Sequence, residues 1–231
     1  MMTVNTWVGA AMSGEEFRDD SVKDAPVRGS LHRANGEGAD GLVLTHGAGA
    51  NCRSLLLTAM AEAFCMSGLT VLRCDLPFRQ AKPTGPPMRG SAERDQEGLR
   101  AAVAALRWQT AGKIFLGGHS YGGRQASMLA AAEPGVADAL LLLSYPLHPP
   151  KQPGQLRTAH FPALRVPALF VHGERDGFGS REEMEGALSL VPARTELMMV
   201  PGAGHELMTG RNRTELPRWV VEAFARFVSA A

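Results

Sequence analysis

The run Gly117-Gly118-His119-Ser120-Tyr121-Gly122-Gly123 restricts this chain more than any other stretch. Ile114-Phe115-Leu116-Gly117 leads into it as a short buried strand, and Arg124 to Glu133 follows as a helix. Between them lies the pattern G-x-S-x-G. It predicts a strand-to-helix turn so tight that the residues flanking the serine must be small, because Cβ atoms there would strike the adjoining strand and helix. The serine is left strained and exposed at the carboxyl end of its strand, where a parallel sheet opens a crevice. The Tyr121 amide starts a helix whose positive end can face a developing negative charge. The plain alternative is a glycine-rich turn that only packs, so the order of the remaining segments has to decide.

That order alternates strand and helix. Val27 to Arg33 reads as an outer strand, Gly36-Glu37-Gly38 as a turn, and Gly41 to Thr45 as a central strand ending in His46-Gly47-Ala48-Gly49-Ala50-Asn51. Leu55 to Ser67 follows as a helix with Leu55, Ala59, Ala63 and Met66 near one face, and then Leu69 to Asp75 as a strand. Leu76 to Arg89 reads as a proline-rich loop, and Ser91 as the N-cap of a helix to Trp108 with Leu99, Val103 and Leu106 inward. After the serine turn come strands at Ala139 to Leu143, Ala168 to His172 and Glu196 to Val200. The last two helices run near Glu182 to Leu190 and from Glu215 to Val228. The pattern predicts an α/β fold, a mostly parallel central sheet with helices on both faces and right-handed crossovers.

At 231 residues the chain is expected to form a single domain, 1–231, with 1–25 as an N-terminal lead or edge segment. Ser144 to Val166, with five prolines and no clear period, reads as a short lid. A formal net charge of +1 gives no electrostatic case for nucleic acid or an anionic membrane surface. No run reaches the roughly 18 apolar residues of a spanning helix, and the first 25 residues lack a basic segment followed by an apolar one, so a cytoplasmic location is expected. Cys52, Cys65 and Cys74 form neither an even set nor a CxxC pair and are expected to be buried thiols.

Sites in such a sheet form at the carboxyl ends of strands. Read in order, those ends are His46 to Gly49, Asp75, Ser120, Ser144-Tyr145, His172 to Asp176, and Gly202 to His205. Serine precedes aspartate and aspartate precedes histidine, the chain order of a hydrolase with a nucleophile elbow. A serine hydroxyl is a poor nucleophile at neutral pH and needs a base, for which His205 is placed; Asp176 would fix the tautomer of that imidazole. Two main-chain amides, of Tyr121 and Ala48, are expected to face the oxyanion, with Gly49 close behind. Asp75 and Glu174 are the lesser candidates for the acid. His46, His119 and His172 are expected to hold loops, while His148 and His160 lie in the expected lid. Phe78, Tyr145, Leu147 and Phe178 either line the pocket or simply pack. No HExxH, CxxC or GKS/GKT spacing is present, so no metal or cofactor is expected.

Through THGAGAN, GGHSYGG, HGERDGFG and PGAGH the chain resembles the α/β-hydrolase superfamily, and within it the small bacterial members related to dienelactone hydrolase, over roughly residues 40 to 210. The resemblance implies Ser120, Asp176 and His205 as a catalytic triad. One departure stands out: dienelactone hydrolases use a cysteine nucleophile, whereas position 120 is serine, which weakens the case for a lactone substrate. The expectation is a serine hydrolase acting on a small ester, thioester or related acyl compound. Its rivals are an inactive binding or scaffold protein of the same fold and an acyltransferase. The sequence does not indicate an oligomeric state.

Overall fold

The structure, a computed structural model, describes residues 14–35 and 39–230. The expected turn at Gly36-Glu37-Gly38 and the first 13 residues of the lead lie outside the described residues. Among these residues eight strands form one sheet: β1 (Glu15–Asp19), β2 (Val27–His32), β3 (Gly41–Thr45), β4 (Thr70–Cys74), β5 (Ile114–His119), β6 (Ala139–Leu143), β7 (Ala168–Gly173) and β8 (Thr195–Val200). Their spatial order is β1-β2-β4-β3-β5-β6-β7-β8. β1 and β2 run antiparallel at one edge, and every pairing from β4 onward is parallel. The strand expected to be outermost, β2, is therefore covered on its outer edge by β1, a strand made from the lead segment.

Among the described residues six helices surround the sheet: α1 (Leu55–Met66), α2 (Pro77–Ala81), α3 (Ala92–Arg107), α4 (Tyr121–Ala132), α5 (Arg181–Leu188) and α6 (Glu215–Ser229). Strands covered on both faces read as near-continuous apolar runs; β3, β4, β5 and β6 are buried throughout, and the polar exceptions are bonded, Arg73 of β4 donating to Cys52 O and Thr45 of β3 to Cys74 O. Successive side chains alternate faces. Val43, Leu72, Leu116 and Leu142 pack with α3, α4 and α5, whereas Leu42, Leu44, Phe115 and Leu143 pack with α1 and α6. Among the described residues no helix is long and apolar enough to cross a membrane.

Three expectations need correction. In α1 the inward residues are Leu56, Leu57, Met60, Ala61, Phe64 and Cys65, whereas Leu55 is 67% and Met66 42% exposed. The stripe that wins spans i, i+3, i+4 and i+7 from Leu57, which lets Phe64 meet Phe224 edge-on at 5.7 Å. The stretch after β4 is not loop throughout: Pro77, which has no N–H to lose, opens the single-turn α2. Ser144 to Val166, expected as a short lid, is in part built into the core. Tyr145, Leu147, Phe161 and Leu164 are core residues, and Phe161–Ala163 forms a 3₁₀ turn, leaving 151–156 as its exposed run.

Candidate active site

The turn between β5 and α4 is built by contact between main chains. A Cβ on Gly118 would stand 2.7 Å from the Thr45 carbonyl oxygen, and one on Gly122 would stand 2.6 Å from that of His46. No real Cβ occupies such a position, so β3, the turn and α4 close together only with glycine at both places. Between them Ser120 takes φ 50° and ψ −114°, a conformation that costs an L residue about 1 to 3 kcal/mol. Its amide donates to Leu143 O at 2.8 Å, so the neighbouring strand β6 holds the strained residue in place.

The loops after β7 and β8 bring the other two side chains in. They run against each other main chain to main chain: a Cβ on Gly173 would lie 2.6 Å from Ala203 O, and Arg175 N–H donates to Ala203 O at 2.8 Å. Asp176 and His205 thereby meet, His205 Nδ1 lying 2.9 Å from Asp176 Oδ2 and 3.1 Å from Oδ1. A carboxylate only accepts, so Nδ1 carries the proton and Nε2 presents a lone pair. That lone pair faces the Ser120 hydroxyl at 2.7 Å. Phe178 stacks on the imidazole at 4.0 Å between ring centres, and His119 Nε2–H donates to His205 O at 2.9 Å, so ring and backbone are both fixed.

The electrostatics fit this arrangement. Burial pushes the Asp176 carboxyl upward, but the bond from His205, with further help from the Phe178 N–H and from His172, outweighs it and holds the pKa below the ordinary aspartate range. Burial keeps His119 and His46 neutral by lowering both. His46 fills its two nitrogens with the Gly47 carbonyl at 2.9 Å and the Leu76 N–H at 3.1 Å, bracing the loop after β3.

That loop passes beside the serine, since a Cβ on Gly47 would lie 3.4 Å from Ser120 Cβ. The Gly47 carbonyl is turned into the loop, where His46 and the Ala50 N–H, at 3.1 Å, both reach it. A trans peptide points the Ala48 N–H the other way. Tyr121 N is the first amide of α4 and has no acceptor within the helix.

The competing residues are committed to other bonds, and His172 also lies 3.7 Å from Asp176 Oδ2. Asp75 accepts from Cys52 N–H at 2.7 Å and Glu174 from Gly202 N–H at 2.7 Å, so each holds a loop. His172 bonds Gly179 O, His148 bonds Pro149 O and Glu183, and His160 bonds Ser127. Tyr145 and Leu147 are fully buried and pack, whereas Phe78 stands between His46 and Tyr121 at 5.6 and 5.5 Å. Phe78 also lines a groove of about 630 Å³ together with Pro77, Met88 and Arg94. Cys52, Cys65 and Cys74 are free and buried, and the described residues hold no group of three or more His, Cys, Asp or Glu that could bind a metal ion.

Asp95 was not legible as a site residue. It is fully buried, and it accepts from Tyr121 Oη at 2.7 Å and Phe78 N–H at 3.0 Å, so it ties the residue after the serine to α2. Burial raises its carboxyl in spite of those bonds. Its signal was position: Asp95 falls on the same stripe as Leu99, Ala102 and Leu106.

A family model described as an alpha/beta hydrolase domain matches residues 38–229. Among solved structures, dienelactone hydrolase from Anabaena variabilis is similar at 22% identity and TM-score 0.72, over 93% of this chain and 98% of that one. Est1E from Butyrivibrio proteoclasticus is similar at 18% identity and TM-score 0.75, over 94% of this chain and 100% of its own. A lidless α/β serine hydrolase from Xanthomonas campestris is similar at 17% and 0.69, over 96% and 97%. At these identities the likeness is one of fold.

Proposed function

We propose, from the premise that the chain belongs to the alpha/beta hydrolase domain family, that it is a serine hydrolase cleaving a small ester, thioester or related acyl compound through an acyl-enzyme. The observation that carries this reading is the unbroken relay from Ser120 Oγ to His205 Nε2 at 2.7 Å and from His205 Nδ1 to Asp176 Oδ2 at 2.9 Å. Ser120 attacks the acyl carbon while His205 takes its proton; the carbonyl oxygen, now negative, is held by the Tyr121 and Ala48 amides. Collapse returns the proton from His205 to the leaving group, and water repeats the cycle on the acyl-enzyme. Asp176 holds the imidazole in the tautomer that can accept and offsets the charge it gains.

The buried course of 144–148 supports an open site without a cap, which suits a compact acyl substrate. Incubation with a fluorophosphonate probe and assay on p-nitrophenyl esters test the reading. The wild-type protein is expected to label and turn over, and Ser120→Ala to do neither. A Ser120→Ala protein with full esterase activity removes Ser120 as the nucleophile. A wild-type protein that neither labels nor turns over supports the scaffold reading instead.

A further inference from the structure

Helix α2 carries a buried charge that the relay does not use. Arg79 is 5% exposed. Its donors go to main-chain carbonyls on two loops: Nη2 to Ala48 O at 2.7 Å, Nε to Ala50 O at 2.8 Å, Nη2 also to Gly85 O at 2.9 Å, and Nη1 to Lys82 O at 3.1 Å. The guanidinium carbon lies 4.9 Å from the centre of the Phe78 ring. A cation taken out of water is costly unless its donors are met. Here they are met by backbone, so Arg79 stays buried only while both loops keep their shape.

The consequence falls on the loop beside Ser120. Two consecutive peptides there are pinned by their oxygens: Gly47–Ala48 by His46 Nδ1 and Ala50 N–H, and Ala48–Gly49 by Arg79. With both peptides trans, pinning the oxygens fixes the directions of the Ala48 and Gly49 N–H groups as well. A donor aids a developing oxyanion to the extent that it is already aimed and need not reorganise. We infer that Arg79 is the positioning residue of this loop: through the Ala48 and Ala50 carbonyls it holds the oxyanion-facing amides in register with Ser120. The inference rests on the serine hydrolase reading. It adds a residue that touches neither substrate nor triad.

Two variants test it. Arg79→Met keeps much of the stem and loses every donor, whereas Arg79→Lys keeps the charge but has three donors for four carbonyls. With active sites counted by end-point fluorophosphonate titration and p-nitrophenyl acetate as substrate, Arg79→Met is expected to lose kcat by roughly 10- to 100-fold with KM changed by less than about threefold. Arg79→Lys is expected to recover part of the loss. Affinity for an alkyl boronic acid, which becomes tetrahedral on Ser120, is expected to fall by the same factor as kcat/KM, and the pH profile to keep its midpoint.

A role in stability alone would lower the thermal midpoint but leave kcat per titrated site and boronate affinity at wild-type values, and that result overturns the inference. If Arg79→Met does not fold, Arg79→Lys carries the same comparison. Failure of the premise looks different, because the wild-type protein would then neither label nor turn over, and the role of Arg79 would fall with it.

Discussion

Ser120 is bound to its conformation from both sides, by Leu143 O on its amide and by Arg124 N–H on its carbonyl, so its strain is maintained by the sheet and by α4 together. Asp176 has a different task, because its side chain is wholly buried while that of His205 stays partly open. Replacing it with asparagine preserves shape, but with its oxygen kept on the Phe178 N–H, which Asp176 Oδ1 accepts at 2.9 Å, it turns an NH2 toward Nδ1–H that cannot accept from it. His205 would then turn or change tautomer, and Nε2 would no longer present a lone pair to the serine. Asp176→Asn is expected to lower kcat by roughly 10⁴-fold with KM little changed, as measured by steady-state hydrolysis of a p-nitrophenyl ester; a loss smaller than about tenfold would remove Asp176 from the relay.

At the scale of elements, α6 shows what holds the second face of the sheet. Leu216, Val220, Ala223, Phe224 and Phe227 recur at helical spacing and all are buried. Phe224 meets Phe115 of β5 at 5.1 Å and Phe64 of α1 at 5.7 Å, both edge to face. Phe224→Ala would open a cavity where three elements meet and is expected to cost about 3 to 5 kcal/mol, read as a lower urea midpoint. The kcat of the protein that remains folded should hold. Such elements were legible in the sequence because a doubly covered strand is a short apolar run and α6 has one clear stripe. The face of α1 was not, since Leu55-Leu56-Leu57 offers three apolar residues in a row and only Phe64 finding Phe224 chooses among them. Prolines in 144–166 signalled irregular backbone without saying that Tyr145 and Phe161 turn inward. The site shows the same division. Ser120, Asp176 and His205 stood out as strand-end residues in a recognisable order, whereas two of the four carbonyls that Arg79 bonds, those of Ala48 and Ala50, lie some thirty positions away and no side-chain pattern announces them.

The whole molecule carries several imidazoles that folding keeps neutral, and this sets how it meets acid. Burial lowers His46 and His119, and burial reinforced by Arg124 brings His160 to about 4. The unfolded chain protonates its histidines near 6.5. Between about 6.5 and about 4 it therefore binds more protons than the folded chain, and stability must fall as pH falls across that window. Asp95, raised by burial, works in the opposite sense, since its folded form takes up a proton before its unfolded form does. Asp176 acts later: its depressed carboxyl contributes stability that is present above about 3.9 and lost as pH falls through its folded value. With three histidines against one carboxyl, the thermal midpoint should drop by roughly 5 °C between neutral pH and pH 4.5. His160→Gln, which keeps a donor for Ser127 but cannot titrate, should flatten the decline without moving the midpoint at neutral pH by a comparable amount. A midpoint that stayed level from pH 7 to 4.5 would mean that these imidazoles are not held neutral by the fold. A decline left unchanged by His160→Gln would assign it to His46 and His119 beside the serine, so that acid would loosen the braces of the loop after β3 and of His205 before the rest of the molecule.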